Sequence, residues 1–281
     1  MKANQNRRKF LGTAIASGAA ATLPSISSEK KTHSSETLVA QLYNSLNEKQ
    51  KSAICFDFDH KLRLAVDNNW HITKPRLSNS YTPDQQELVK EIFMGLHSEK
   101  YAKTVYDQVV HDSGQAGFGD SSIALFGKPG TGKFEFVLTG RHCTRRCDGD
   151  SVEGTAFGGP IFYGHAAEGF VEKPDHPGNA YWYQAKKANE VFQMLNGKQR
   201  KLALIDECRD EEGTDTVKLT GKKKGLEGIP MTELTADQKN KVRETLVDIM
   251  APYREKDSKE ALKLIDQAGF DHLHMAFSEI E

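Results

Sequence analysis

The chain has 281 residues and a net charge of −1, with 37% apolar and 27% charged side chains. That balance excludes an intrinsically disordered protein and supplies enough apolar material for a full core. Residues 1–31 hold six basic and one acidic side chain, which leaves −6 on the rest of the chain and no electrostatic claim on nucleic acid.

Residues 1–31 read as a targeting segment. Asn6-Arg7-Arg8-Lys9-Phe10-Leu11 resembles the twin-arginine export motif, and a weakly hydrophobic, alanine-rich run from Leu11 to Leu23 follows it. The run is too short for a permanent membrane anchor. The expected destination is therefore periplasmic or secreted, with the twin-arginine machinery as partner. That route carries folded proteins, often with a cofactor inserted, which points modestly to a metal or cofactor. Residues 35–281 are expected to form a single α+β domain.

A helix is predicted from Ser34, with Leu38, Val39, Leu42 and Leu46 on one stripe. FDFDHKLRLAVDNNWHITKP then alternates apolar and polar residues. His60 reads as a loop residue paired with Asp57 or Asp59, whereas His71, beside Trp70, is a candidate pocket wall. Thr82-Pro83-Asp84-Gln85 has the cap, the proline and the glutamine of a helix start. A second helix follows Ser98. His97 and His111 fall near helix ends, where imidazoles commonly serve the last carbonyls.

Residues 121–165 concentrate glycine, aromatic residues and histidine. Gly127-Lys-Pro-Gly-Thr-Gly132-Lys133 has the spacing of a phosphate-binding P-loop, but Phe134 stands where Ser or Thr would hold magnesium, and FEFVLTG after it alternates with strand period. The segment therefore reads as a β-hairpin whose glycines make the turn. Counting by twos from Phe134 places Phe136, Leu138 and His142 on one face. His142 is then either a pocket histidine acting as ligand or base, or a core histidine bonded to a carbonyl. Ile161, Tyr163 and His165 repeat the pattern. Two strands of one sheet can bring His142 and His165 together, with Cys147-Asp148-Gly149-Asp150 as a turn and SVEGTAF as the strand between.

Beyond the meander, His176 lies in a loop and is expected to be solvent exposed. YWYQAKKANEVFQML predicts a helix with Ala188, Val191, Phe192 and Leu195 inward. Residues 209–230 form a polar excursion with room for one short edge strand, and Lys222-Lys223-Lys224 reads as solvated surface. Helices are predicted over 236–250 and 258–268, and HLHMAF after them is strand-like. The motif of Leu, three residues, Gln and a basic residue occurs at Leu46–Lys51, Leu195–Arg200 and Leu234–Lys239. It reads as recurring helix-boundary chemistry, not a repeat. Cysteines 55, 143, 147 and 208 are even in number and bound for an oxidising compartment. Cys143 and Cys147 would stand about 13 Å apart along an extended strand, too far to bond unless the chain turns, and we read the cysteines as mostly structural.

WHITKP at 70–75, FGKPGTGKFEFVLTGRH at 126–142, DGDSVEGTAFGGPIFYGH at 148–165 and APYR at 251–254 resemble the family catalogued as domain of unknown function 3500. The resemblance covers most of the chain after residue 35 and carries no reaction with it. Members of that family tend to show a histidine at the position of His142, often preceded by a second, which is Arg141 here. They also tend to continue past this chain's end into an aromatic-rich strand region with a His-x-His pattern. The resemblance thus implies a chain shorter than its relatives.

The expected fold is α+β, a twisted antiparallel sheet around 121–165 with helices packed on it. Two functions stay open. One is an exported metal-dependent hydrolase, with a zinc-like divalent ion on His71, His142 and His165, and Asp150 or Glu153 as the base. The other is a non-catalytic binding protein whose aromatic pocket, from Trp70, Phe136, Tyr163 and Trp182, holds a small organic ligand.

Overall fold

Amphipathic helices need an apolar surface to cover, and the alternating strands of the meander supply it. The computed structural model describes residues 35–165, 173, 176, 179–206, 221 and 224–278. The expected export segment, Cys208, Lys222 and Lys223 lie outside them. α1 (Ser35–Ser45) buries Leu38, Val39 and Leu42, and α2 (Glu48–Ile54) leads directly into β1 (Cys55–Phe56). After a 3-10 turn at Lys61–Leu64 come α3 (Leu77–Ser80), α4 (Pro83–Gly95) and α5 (Glu99–Asp112). β2 (Ser122–Gly127), β3 (Phe134–Gly140), β4 (Cys143–Cys147) and β5 (Phe162–Tyr163) follow as a meander.

The sheet order is β1-β2-β3-β4-β5, with β1 parallel to β2 and the other pairs antiparallel. The P-loop-like stretch is the β2–β3 turn, closed by the Lys128 amide donating to Lys133 O at 3.1 Å. Gly127 is required there: its φ is 74°, and a Cβ would stand 2.1 Å from Lys133 O.

Alternation sorts the side chains. Ile123, Leu125, Phe134, Phe136, Leu138, Cys143 and Cys147 pack on one face against α1, α4 and α5, whereas Ala124, Phe126 and Val137 join Ile72 and Trp70 on the other. The middle strand is CTRRC, not the predicted SVEGTAF, whose segment ends in a 3-10 turn at Ala156–Gly158. Two arginines disguised it, since both are buried. Arg146 bonds Glu135, which Arg63 also holds at 3.1 Å, and Arg145 projects into the helix-covered core. Cys55, Cys143 and Cys147 are free thiols.

The chain continues through α6 (Trp182–Met194), α7 (Gly197–Ala203), β6 (Ile229–Pro230), α8 (Ala236–Met250), α9 (Glu255–Ala268) and β7 (His274–Met275) around a separate apolar cluster that includes Val191, Met231, Val242 and Phe270. α9 starts three residues before its predicted position. No helix among the described residues is long and apolar enough to cross a membrane.

The second half repeats the first. Asn47 and Asn196 cap α2 and α7, Thr82 and Thr235 cap α4 and α8, and each cap forms a box with a glutamine three residues on. The glutamines then pair. Gln50 and Gln85 exchange amide bonds of 2.9 and 3.2 Å, and Gln199 and Gln238 exchange two of 2.9 Å. Their remaining amide protons go to equivalent carbonyls, Ser80 and Ser45 in one half and Glu233 and Met194 in the other. α5 and α9 each run 14 residues, and Gln-Ala-Gly-Phe occurs at 115–118 and again at 267–270, with both phenylalanines buried. Cys55 pairs with Leu125 in parallel, and so does Leu204 with Phe277. The recurring Leu-x-x-x-Gln motif is therefore the mark of a structural repeat, contrary to the sequence reading. The halves meet where His97 and Tyr253 bridge antiparallel, one residue before the caps of α5 and α9.

Candidate metal centre

α5 ends at the site. Its buried stripe runs Val105, Gln108, Val109 and Asp112, so two polar side chains lie on a face that should be apolar. Such groups need partners inside the protein. Gln108 donates to Asp112 Oδ1 at 2.8 Å and accepts from the Ala180 amide at 2.7 Å, which fixes both its ends.

The meander brings the histidines. His142 follows β3 in the left-handed region, with φ 50°, a costly conformation for a residue with a Cβ. It is held by backbone bonds at both ends: its amide donates to Asn68 O at 2.7 Å, and its carbonyl accepts from Gly164 at 3.1 Å. The second of these places His165 next to it. His165 Nδ1 lies 2.9 Å from Asp112 Oδ1 and 2.5 Å from Gln108 Nε2, and His142 Nδ1 lies 3.5 Å from Asp112 Oδ2. His142 Nδ1 is buried without a hydrogen bond.

His111 completes the group. Its ring stacks on His165 at 5.7 Å and on His176 at 5.3 Å between centroids. One ligand atom from each of His111, Asp112 and His165 lies within 4.8 Å of the others. Ligands of a tetrahedral zinc ion stand about 3.3 Å apart, so the group is somewhat more open than a closed zinc shell. Two imidazoles and a carboxylate form a donor set suited to a divalent transition metal, and the negative end of the α5 dipole favours a cation there. The set can hold a metal; it does not by itself select zinc.

His142 and His165 thus converge on one carboxylate. His71 stands elsewhere, with Nε2 3.3 Å from Asp120, which also faces Arg76 at 3.6 Å. Asp150 pairs with Lys256 at 3.0 Å on the surface, and Glu153 is exposed. Among the aromatic residues, Phe136 is wholly buried on the helix side of the sheet, and Trp70 lies on the opposite side, donating to Thr144 at 2.9 Å. Tyr163 packs at 4.6 Å on Tyr181, and Trp182 opens α6 under Lys186. Burial raises the Tyr163 and Tyr181 hydroxyls to about 12, so both are neutral.

Sequence reasoning missed His111, Asp112 and Gln108, and placed His176 in solvent without its ring partner. His176 is indeed exposed, but one of its faces lies on His111. The polar pair on the buried stripe of α5 was the available signal.

Fold and site together describe an α+β protein with a histidine–aspartate group at the end of a helix. The chain belongs to the family described as "Protein of unknown function (DUF3500)", whose model matches residues 28–280. No curated protein and no solved structure matches the chain.

Proposed function

We propose that this protein binds a divalent transition-metal ion through His111, Asp112 and His165, and that it is an exported hydrolase acting on a small molecule at that ion. The convergence of two imidazoles on the buried Asp112 carboxylate carries the reading. A metal held by three protein ligands keeps a coordination position for water or substrate, and supplies Lewis-acid polarisation and a water whose pKa falls to about 7. The chain's own groups do the positioning. Gln108 holds Asp112 from behind, and its contact with His165 Nδ1 orients that ring.

His142 is the proton-transfer group in this reading. Its strained backbone and its place beside Asp112 give it a fixed direction. It takes the role that the sequence offered to Asp150 and Glu153, which stand on the surface. Export follows the Arg7-Arg8 motif, and cell fractionation of the Arg7→Lys/Arg8→Lys variant should find the protein retained in the cytoplasm.

Titration of metal-stripped protein with cobalt tests the centre optically. The intense visible absorption of low-coordinate cobalt should grow to one equivalent in the wild type and be absent in Asp112→Asn, which keeps the side chain's shape. Weak, octahedral-type absorption identical in both proteins would contradict the site. With the site loaded, His142→Ala should retain metal and lose at least about 100-fold in turnover of an ester or phosphoester substrate.

A further inference from the structure

The two halves enclose a buried positive charge at their seam. Arg145 is 2% exposed and makes no ion pair among the described residues. Its Nε donates to His97 Nε2 at 3.0 Å, one terminal nitrogen donates to Phe162 O at 2.7 Å, and the other lies 3.4 Å from the Tyr181 hydroxyl. All of these partners are neutral. His97 donates from Nδ1 to Phe93 O at 2.7 Å, and burial and the adjacent guanidinium hold its pKa well below the ordinary value, so it adds no charge. Tyr163, Tyr181 and Tyr253 are all raised by burial, so no tyrosinate balances the arginine. The rings of Phe93, Tyr163 and Tyr253 surround the guanidinium at 5.8, 5.7 and 5.6 Å, and their faces offset part of the charge. A buried guanidinium normally has an anion beside it.

A cavity of about 10 Å³ lies against this arginine. Its polar side-chain lining is Arg145, Arg146, Tyr253 and Asp257. Arg146 is committed to Glu135 and to Pro160 O, and Asp257 is held by Arg254 at 2.7 and 3.2 Å. The Tyr253 hydroxyl is buried and has no hydrogen-bond partner. Of these groups, Arg145 has only neutral hydrogen-bond partners for its charge, and the Tyr253 hydroxyl has none at all. The space is about that of one water, so carboxylates and phosphate are excluded, and a chloride ion, somewhat larger than water, enters with a small outward shift of the lining.

We propose that Arg145 and Tyr253 hold a single monatomic anion, chloride in the first instance, at the seam between the repeats. The anion completes the guanidinium's shell and accepts the Tyr253 proton, tying β4 of the first half to the start of α9 in the second. The site is independent of the histidine–aspartate group and does not require that group to bind metal.

Thermal unfolding in sodium chloride and in sodium gluconate, at matched ionic strength, is the test, because matched salts screen surface charges equally. The melting temperature should be about 2–4 °C higher in chloride at saturating concentration. Tyr253→Phe keeps the ring and removes the donor, and should reduce that difference by half or more; Arg145→Met should abolish it. The ³⁵Cl NMR line should broaden with the wild-type protein and sharpen in both variants. Equal melting temperatures in the two salts, or a chloride effect that Tyr253→Phe leaves undiminished, would overturn the proposal. A crystal whose seam density lacks the anomalous signal of chlorine would show a water there and overturn it equally.

Discussion

The two halves of this molecule share a scaffold and differ in chemistry. Both run helix, capped short helix, one side of a parallel pairing, capped long helix and a 14-residue helix back to that pairing, which is β1 with β2 in the first half and the single bridge of Leu204 with Phe277 in the second. At the end of that last helix the first half has His111-Asp112 and the second has Gln267-Ala268. The first half then adds β3, β4 and β5, which bring His142 and His165 to the carboxylate. A repeated frame therefore serves stability in both halves, and the candidate site arises only where an acidic helix end meets the meander among the described residues.

The meander's buried ion cluster gives the largest expected effect. Glu135→Leu leaves Arg146 and Arg63 without their carboxylate and should cost about 3–5 kcal/mol in urea unfolding. Less than about 1 kcal/mol would mean that the cluster is not buried as described. The repeat itself is tested by a matched pair. Gln50→Leu and Gln199→Leu each orphan one amide partner and should each cost about 1–3 kcal/mol, by similar amounts, since the reciprocal bonds and their carbonyl acceptors correspond in the two networks. A clear cost for one and none for the other would break the comparison.

The seam gives the smallest effect, through pH. The pKa of His97 is depressed in the folded protein, chiefly by burial and then by Arg145, so the unfolded chain takes up the proton first. Its contribution to stability is complete above the ordinary value near 6.5 and is lost as the pH falls towards the lower folded value. His97→Gln can accept from Arg145 but does not titrate. It should flatten the stability–pH slope below 6.5 by up to about 1.4 kcal/mol per pH unit, measured by denaturant midpoints at pH 5 to 8. An unchanged slope would place the acid sensitivity elsewhere.

Much of the scaffold was legible. Thr82-Pro83-Asp84-Gln85 and Thr235-Ala236-Asp237-Gln238 announce their helices because capping is a local interaction, complete within four residues. The β2–β3 hairpin was legible for the same reason, in its glycines and the alternation of FEFVLTG. β4 was not, because Arg145 and Arg146 are both buried and periodicity cannot tell a core arginine from a surface one. The repeat was half visible in its glutamines. Their reciprocal bonds join residues 35 and 39 positions apart, beyond any local pattern. The site shows both limits. The His142–His165 approach follows from strand pairing, whereas Asp112 lies 53 residues from His165, and a histidine and an aspartate at a helix end have an ordinary local explanation. That Asp112, together with Gln108, lies on the buried stripe of Val105 and Val109 is what makes it unusual.

The central claim is that the first half alone builds a metal centre, on Asp112. Elemental analysis of the purified, gel-filtered protein tests it most directly, alongside Asp112→Asn and His165→Ala checked for native circular dichroism. The account predicts close to one equivalent of a divalent transition metal per chain in the wild type and less than about a tenth of that in either variant. Metal-free wild type after loading and desalting, or stoichiometric metal that survives both substitutions, would contradict it.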